Sequence, residues 1–389
     1  MIDMHVLMLP SWYDTADRPY AGTFFRDWAS SLQAAGARVG VAYVEGRSLR
    51  RFSLRHLAET HFQTTAGEEG GLQTIRLKGW NTLAQWTLGG LVWARLAQHA
   101  LRAYLERFGR PDIIAAQSTL WAGHGARHAK RHWRLPYAIT EVNTAFGTGD
   151  VRGWRAAISR RVFAEASAVI AISTNLRNRL VELGGAEHVE IVPCTVDAAY
   201  WMPPLAARGR SPFTFYAQAH LVPHKGFDLL IRAFASRFRG AAGVRMVIGG
   251  DGVIRQALEA LAQGLGVHGQ VQFLGALPRN GVRQAMWDAN CFVLPSLAEN
   301  FGVVLIEALA TGLPVISTRC GGPEDIITPE VGVLLEPGDE QGLADAMVAM
   351  LDSPGCDPEA LRAHAVGRYG YATVGARLRD VYQRALGVD

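Results

Sequence analysis

Short apolar or β-branched runs alternate with longer, helix-forming stretches along the whole chain. In chain order the runs are 5–9, 38–43, 112–116, 137–140, 168–172, 189–192, 213–216, 245–248, 271–274, 291–294, 314–317 and 332–335. Strands that are apolar on both faces and separated by helices are typical of parallel sheets with helices on both sides. The sequence therefore predicts an α/β protein with two series of strands, each forming a doubly wound, Rossmann-like domain.

The stretch between the two series predicts a domain boundary, because it follows neither period and contains two prolines and a glycine. A chain of 389 residues is also about twice as long as a usual single domain. Ligands of open α/β sheets lie outside the carboxyl ends of the strands, so we expect the active site in a cleft between two facing domains. The predicted divisions are a first domain, 1–197; a linker, 198–212; a second domain, 213–368; and a C-terminal helix packing back on the first domain, 369–389.

Composition excludes several classes of protein. With 49% hydrophobic and 19% charged residues, the chain is neither fibrous nor disordered. It has no run of 18 apolar residues, which argues against a membrane span, and its first ten residues are typical of a strand and not of a signal peptide. The cysteines lack the spacing of a zinc or redox site, so we expect a cytoplasmic protein without a disulfide framework. They are Cys194, Cys291, Cys320 and Cys356.

Positive charge is concentrated in the first half of the chain. Residues 1–200 contain 23 basic and 17 acidic residues, whereas residues 201–389 contain 16 and 18. The segment 47–57, RSLRRFSLRHL, interleaves arginine with leucine and phenylalanine. This pattern suits an anionic membrane surface or a lipid-phosphate acceptor; alternatively, the segment is a solvated basic loop. No nucleic acid partner is expected, because the basic residues form no recognised binding module.

The segment 291–318, CFVLPSLAENFGVVLIEALATGLPVIST, carries the strongest indication of chemistry. It predicts a strand, a loop to Gly302 and a helix from about Val303, so the loop lies at a strand's carboxyl end and leads into a helix N-terminus that can bind an anion. In this loop Glu299 can accept hydrogen bonds from sugar hydroxyls, and Glu307 in the helix can bind ribose hydroxyls. Alternatively, Glu299 caps the helix and Glu307 is an ordinary solvated residue.

These motifs resemble those of retaining glycosyltransferases with the GT-B fold, specifically glycosyltransferase family four. Two glutamates in the pattern of ENFGVVLIE are the hallmark of that family. The resemblance covers nearly the whole chain and is strongest after residue 213. Its other segments are HLVPHKGFDLLIRAF (220–234), GGDG (249–252), VQFLGAL (271–277) and ISTRCGGPEDII (316–327), with looser matches at P-x2-G-T-F-F (19–25) and VPCTVD (192–197).

The resemblance implies a donor-binding site built largely from main-chain groups and small residues. Gly22 is expected to close the site from the first domain, although it also fits a plain turn. The Gly-rich turn and the base-binding strand assign Gly250 and Leu277 to the donor, and the start of the helix provides N–H groups for the phosphates or the sugar. The expected donor-binding residues are Gly22, Val142, Gly250, Leu277, Asn300, Phe301, Gly302, Val303 and Glu307.

Lys225 matches the family's diphosphate-binding lysine. Only three of the 39 basic residues are lysines, and this is the only one in the second half of the chain. A compact ammonium can stabilise the charge of a departing phosphate, although a solvated lysine at a helix start has the same local sequence. With Glu299 and His220 it completes the expected catalytic set.

No metal ion or other cofactor is expected. The loops contain no DxD-like pair that would hold a divalent ion for the phosphates. His124, His128 and His132 recur at helical spacing, as zinc-binding histidines do in some proteins. No further ligand class accompanies them, which favours a polar helix that faces the cleft.

Three positions depart from the family pattern. His220 stands where relatives have arginine, Val142 where they commonly have a histidine that contacts the C6 hydroxyl of the donor sugar, and Cys194-Thr195 where they have Asn-Gly. Histidine is mostly neutral at pH 7, but a neighbouring diphosphate would favour its protonated form. These departures bear on which sugar is transferred and how fast.

The resemblance implies metal-independent, retaining transfer of a sugar from a UDP- or GDP-sugar to a glycan or lipid-linked acceptor. A role in bacterial cell-surface polysaccharide or glycoconjugate synthesis is expected, with the protein in the cytoplasm or bound to the inner face of the membrane. Alternatively, the chain is a degenerate GT-B protein that binds a nucleotide sugar or a partner without turnover.

Overall fold

The computed structural model describes residues 4–15, 22–47, 61–81, 87–206, 208–209, 211–352 and 357–388. They form two compact units, each with its own parallel sheet. The first unit consists of Met1–Thr195 and Tyr371–Asp389, and the second of Val196–Gly370. Among the described residues, no helix is both long enough and apolar enough to cross a bilayer.

The first unit contains an eight-stranded sheet in the order β3-β4-β2-β1-β5-β6-β7-β8. Every neighbouring pair is parallel except β3 and β4. The strands are β1 His5–Pro10, β2 Arg38–Arg47, β3 Thr64–Glu69, β4 Leu72–Trp80, β5 Ile113–Gln117, β6 Tyr137–Glu141, β7 Ala168–Ala171 and β8 Glu190–Ile191. The helices are α1 Thr23–Ala34, α2 Thr87–Phe108, α3 His124–Trp133, α4 Thr144–Gly147, α5 Gly153–Glu165 and α6 Thr174–Leu183.

The β3–β4 hairpin was not predicted from the sequence. Strand β3, TTAGEE, lies at the edge of the sheet and is largely exposed, so it lacks the apolar run that identifies a buried strand. Its turn has the stronger signal, because Gly70 and Gly71 both adopt positive φ angles of 59° and 79°, as a tight hairpin turn requires.

The last helix, α14 (Tyr371–Leu386), packs on α1 within the first unit. The two backbones approach closely, since a Cβ atom on Gly375 would lie 1.9 Å from the carbonyl oxygen of Ser31. At the start of α14, the Tyr371 hydroxyl donates to Asp27 Oδ1 at 2.6 Å. Small side chains and one buried hydrogen bond thus join the chain's two ends into one unit.

The second unit contains a six-stranded parallel sheet in the order β11-β10-β9-β12-β13-β14. Its core is built from both faces of the sheet, which explains why its strands are continuous apolar runs. The strands are β9 Phe213–Gln218, β10 Val244–Gly249, β11 Val271–Gly275, β12 Cys291–Leu294, β13 Val315–Thr318 and β14 Gly332–Leu335. The helices are α7 Phe227–Phe238, α8 Arg255–Gly264, α9 Arg279–Trp287, α10 Val303–Ala310, α11 Pro323–Ile326, α12 Glu340–Asp352 and α13 Pro358–Tyr369.

The segment 198–212, which we expected to be a linker, belongs to the second unit. Trp201 is 1% exposed, and its carbonyl accepts a hydrogen bond from Arg362 at 2.8 Å. Arg208 donates to the carbonyls of Thr311 and Gly312 at 2.6 and 3.0 Å. The prolines and glycine do interrupt regular structure here, but a buried aromatic ring and two arginines hold the segment against the unit.

Candidate active site

The expected catalytic residues of the second unit lie at a topological switch point. The chain leaves β9 toward β10 and β11 on one side, and later returns to β12, β13 and β14 on the other. At such a point the loops after two neighbouring strands diverge and leave a crevice at their carboxyl ends. Here the two strands are β9 and β12, which pair in parallel.

Lys225 reaches this crevice on a short 3-10 turn, Pro223–Lys225, that follows β9. The turn ends at Gly226, whose φ angle is 68° and whose Cβ atom, if present, would lie 2.1 Å from the carbonyl oxygen of Pro295. Leu297 N–H also donates to the His224 carbonyl at 2.8 Å. Glycine is therefore required for the loop after β9 to contact the loop after β12.

The contact between these loops brings Lys225 and Glu299 together. Their side chains form an ion pair, and they are only 17% and 12% exposed. Ser296 Oγ donates to Glu299 Oε1 at 3.0 Å. A carboxylate that accepts from an ammonium and a hydroxyl in so enclosed a place is well oriented, and the two charges neutralise each other.

The backbone of Glu299 is also fixed, by the loop after β13. Its N–H donates to the Cys320 carbonyl at 3.1 Å, and its carbonyl accepts from Gly322 N–H at 3.0 Å. Gly322 is needed for this approach, because a Cβ atom there would lie 2.1 Å from Phe301 Cα. Burial raises the pKa of the Cys320 thiol to about 12, and the negative charge of Glu299 raises it further.

Helix α10 begins at the same edge. Its N-cap is Gly302, with a φ angle of 92° and no side-chain cap, so no side chain covers the first N–H groups of the helix. Phe301 is 2% exposed and packs edge-on against Tyr369, while Asn300 is 7% exposed and Val303 is half-buried. The first two therefore shape the loop from within, and the expected N–H donors come from a rigid backbone.

Glu307 lies one turn further along α10 and is half-buried. Burial raises the pKa of the Tyr216 phenol well above its ordinary value, and the carboxylate of Glu307 adds to that shift. Glu307 is therefore close to the end of β9. The structure thus gathers Lys225, Glu299 and Glu307 at one edge of the sheet, as the sequence motifs suggested.

The Gly-rich turn after β10 supports the segment that leads to Lys225. Gly250 has a φ angle of 111°, and a Cβ atom there would lie 1.9 Å from the Ala219 carbonyl oxygen. The N–H of Leu221 donates to the Asp251 carbonyl at 3.0 Å, and Gly250 N–H donates to the Gly275 carbonyl at 2.7 Å. The glycine thus allows three adjacent loops to meet.

The remaining candidates in the second unit lie at the rim of this region. Leu277 is half-buried between β11 and α9, and His220 is exposed between β9 and the turn of Lys225. His224 is also exposed, and partial burial, followed by the charge of Lys225, lowers its pKa. Sequence reasoning assigned no role to Ser296, although it lies inside the quoted motif LPSLAENFG and orients Glu299.

In the first unit, Gly22 caps the N-terminus of α1 with a φ angle of 72°. A Cβ atom there would lie 2.9 Å from Phe25 Cδ2 and 3.0 Å from the Trp12 carbonyl oxygen. A larger residue at this position would therefore displace the start of α1 or the loop after β1. The residues just before it, 16–21, lie outside the described chain.

Val142 follows β6, and its backbone is fixed by a residue that sequence reasoning missed. Glu141 is 0% exposed and accepts a hydrogen bond from Val142 N–H at 2.8 Å. Its other donors are Asn143 N–H at 2.8 Å, Ser118 Oγ at 3.0 Å, Thr119 N–H at 2.8 Å and Thr119 Oγ1 at 2.5 Å. Asn143 Oδ1 caps helix α4, so the side-chain oxygen of Asn143 is engaged away from the position of the family's histidine.

The histidine stripe is confirmed as a helical feature. His124 and His128 lie edge to face on α3 with ring centroids 4.8 Å apart, and His132 packs against Trp133. Burial lowers the pKa of His124 to about 4 and also lowers that of His128. Over the described ranges, no cluster of three or more histidines, cysteines or carboxylates has the arrangement of a metal site.

The basic segment 47–57 lies outside the described residues except for Arg47, the last residue of β2. Cys356 also lies outside them. The membrane interpretation of that segment therefore rests on sequence alone.

Comparison with known proteins agrees with this architecture. The chain matches the family models "Glycosyl transferase 4-like domain" over residues 21–195 and "Glycosyl transferases group 1" over residues 202–372. It is 30% identical over 309 residues to D-inositol 3-phosphate glycosyltransferase of Acidothermus cellulolyticus, covering 71% of this chain and 67% of that protein.

Two further similarities extend the comparison. A phosphatidylinositol N-acetylglucosaminyltransferase protein of Arabidopsis thaliana is 30% identical over 220 residues, which span 56% of this chain and only 49% of that protein. The solved structure of Anabaena HepE in complex with UDP and glucose superposes with a TM-score of 0.74 at 20% identity, covering 98% of this chain and 99% of that one. The domains, the strand order and the matched family models together establish that the chain belongs to the glycosyl transferases group 1 family, the family-four glycosyltransferases of the GT-B fold.

Proposed function

We propose that this protein transfers a sugar from a UDP- or GDP-sugar to a glycan or lipid-linked acceptor, with retention of the anomeric configuration and without a metal ion. The observation that carries the proposal is the pairing of Lys225 with Glu299 at the switch point, beside the uncapped start of α10. An ammonium and a row of N–H groups suit a diphosphate, whereas a carboxylate suits sugar hydroxyls.

The chemistry follows from where charge develops. As the bond between the anomeric carbon and the diphosphate oxygen breaks, negative charge grows on the diphosphate, where Lys225 and the N–H groups of α10 stabilise it. Glu299 holds the sugar by accepting from its hydroxyls. The acceptor oxygen attacks the face that the diphosphate leaves, and the acceptor proton passes to a phosphate oxygen, so the protein supplies no separate base.

His220 lies beside this path as an exposed residue of the loop after β9. A protonated histidine there would add a second positive charge near the departing diphosphate. A variant of this function, binding of a nucleotide sugar without turnover, is favoured by the replacement of the family's arginine and histidine at His220 and Val142. The retained Lys225–Glu299 pair favours the enzyme.

Two measurements on the wild-type protein separate the alternatives. Thermal shift with UDP, GDP, ADP and dTDP identifies a nucleotide binder and its base. Release of the nucleoside diphosphate from matched sugar donors, with and without glycan and lipid-linked acceptors, then distinguishes transfer from binding alone. Absence of any nucleotide-dependent stabilisation would contradict both forms of the proposal.

We also propose a bacterial cell-surface glycoconjugate role in the cytoplasm at the inner face of the membrane, supported by the basic segment 47–57. The protein should sediment with anionic vesicles at low salt and be released at higher ionic strength, because salt screens charges beyond about 8–10 Å at 0.1–0.15 M. Replacing Arg50, Arg51 and Arg55 with glutamate should abolish this binding and leave donor hydrolysis unchanged. Equal sedimentation with neutral vesicles would count against a charge-driven contact.

A further inference from the structure

Gln218, the last residue of β9, places a side-chain amide at the switch point. It lies two residues after Tyr216 on the same strand, so both side chains are on the same face of the sheet. Tyr216 is 0% exposed, and its phenolic hydroxyl donates to Gln218 Oε1 at 2.8 Å. A buried donor therefore sets the orientation of an amide that is itself half-buried.

The neighbouring strand leaves space for this amide. Gly249 of β10 pairs in register with Gln218. A Cβ atom on Gly249 would lie 1.9 Å from Gln218 Oε1 and 2.9 Å from the Tyr216 hydroxyl. Any side chain at position 249 would thus displace the amide.

The opposite end of the amide is a donor. Since Oε1 accepts from Tyr216, Nε2 keeps two protons for other acceptors, and among the described residues it donates to no protein group. Burying an amide donor without an acceptor is unfavourable, which is consistent with Gln218 being at the rim of the crevice and not beneath it.

Glu307 approaches the same tyrosine from helix α10, as the influence of its charge on Tyr216 indicates. The amide donor of Gln218 and the carboxylate acceptor of Glu307 therefore flank one buried phenol. A hydroxyl group can donate to a carboxylate and accept from an amide at the same time. The two side chains together form a complementary pair for a sugar hydroxyl.

We propose that Gln218 is a nucleotide-binding residue, whose amide donates to the same ribose hydroxyl of the donor that donates to Glu307, with Tyr216 and Gly249 setting the orientation of the amide. The inference rests on the proposed function, because it assumes a nucleoside diphosphate at this edge of the sheet. It adds a specificity-determining side chain that favours ribonucleotides over deoxyribonucleotides.

The test is isothermal titration of wild type and Gln218→Met with whichever of UDP, GDP and ADP binds the wild type, and with the 2′-deoxy and 3′-deoxy forms of that nucleotide. Methionine keeps the length of the side chain and removes the amide. One neutral hydrogen bond corresponds to a loss of about 3- to 10-fold in affinity for the ribonucleotide. With one of the two deoxy nucleotides, wild type and variant should bind equally, since the acceptor hydroxyl is missing.

Gln263→Met, an exposed glutamine near the end of α8, is the matched control and should bind all the nucleotides as wild type does. Tyr216→Phe should weaken binding less than Gln218→Met, because the amide remains but loses its fixed orientation. Equal ribonucleotide affinity in wild type and Gln218→Met, or a loss that persists with both deoxy forms, would overturn the inference and leave the proposed function intact. If none of the nucleotides binds the wild type, the proposed function fails, and the inference fails with it.

Discussion

The Lys225–Glu299 ion pair implies that the donor diphosphate and the protein compete for one ammonium group. Replacing Glu299 with glutamine removes the competing charge while preserving the shape of the side chain and an oxygen that can accept from Ser296. We therefore expect Glu299→Gln to bind a nucleoside diphosphate more tightly than wild type while transferring sugar more slowly. A residue required only for folding would not change the two quantities in opposite directions.

The magnitude follows from the enclosure of the pair. Exposed ion pairs contribute about 0.2–1 kcal/mol and hydrogen bonds to charged groups about 1.5–3 kcal/mol. With side chains 17% and 12% exposed, this pair lies between those cases. Releasing Lys225 should contribute about 1–2 kcal/mol, or about 5- to 30-fold tighter binding of UDP or GDP. Losing a charged acceptor for the sugar should lower kcat/KM by about 10- to 150-fold.

Titration calorimetry gives the affinity of the nucleotide, and release of the diphosphate with donor and acceptor gives kcat/KM. Glu259→Gln is the matched control, because Glu259 pairs with Arg255 on the exposed surface of α8 in the same unit. It should change neither quantity. Unchanged or weaker nucleotide binding in Glu299→Gln, with the control at wild-type values, would refute competition for Lys225.

Three further predictions test other parts of the molecule. Lys225→Ala should lower turnover at saturating donor by about 10²- to 10³-fold, with only partial recovery in Lys225→Arg, because a planar fork replaces a compact charge; near-wild-type rates in both variants would remove Lys225 from the site. Since a buried hydroxyl without a partner costs about 1–3 kcal/mol, wild type should prefer a 6-deoxyhexose or pentose donor in kcat/KM over the matched hexose, and Val142→His should shift preference toward the hexose; a wild-type preference for the hexose that the substitution does not alter would contradict this. The pKa of His124 is lowered to about 4 in the fold, so the unfolded chain binds its proton first, and folding stability should fall by about 3 kcal/mol between pH 6.5 and pH 4. Urea unfolding should show a flatter pH dependence for His124→Leu than for the exposed control His132→Leu, with His128 still contributing in both, and identical profiles would exclude His124 as the cause.

The sequence predicted most of the fold because buried parallel strands have a local signature. The apolar runs 5–9 and 291–294 correspond to β1 and β12 within one residue. The polar edge strand Thr64–Glu69 has no such signature and was missed. The segment 198–212 was interpreted as a linker because its prolines are visible locally, whereas the burial of Trp201 depends on partners far along the chain.

The site divides in the same way. Motif spacing suggested Lys225, Glu299 and Glu307, since residues at the carboxyl ends of neighbouring parallel strands meet at one edge. Glu141 was not suggested, because a glutamate at the end of a strand is usually solvated. Its burial depends on donors supplied by Ser118 and Thr119, more than 20 positions away.

The sequence by itself determined the class of each element and the order of the strands' chemistry, because period, apolar runs and glycine positions are local properties. Only the tertiary structure decided that Lys225 pairs with Glu299, 74 positions away. That pairing depends on Gly226 contacting the Pro295 carbonyl and on Gly322 contacting Phe301, and therefore on how closely three loops can approach. Such approaches are set by the register of β9, β12 and β13 in the folded sheet, which no local pattern specifies, since the hydrogen bonds between these strands form only when distant segments pack together.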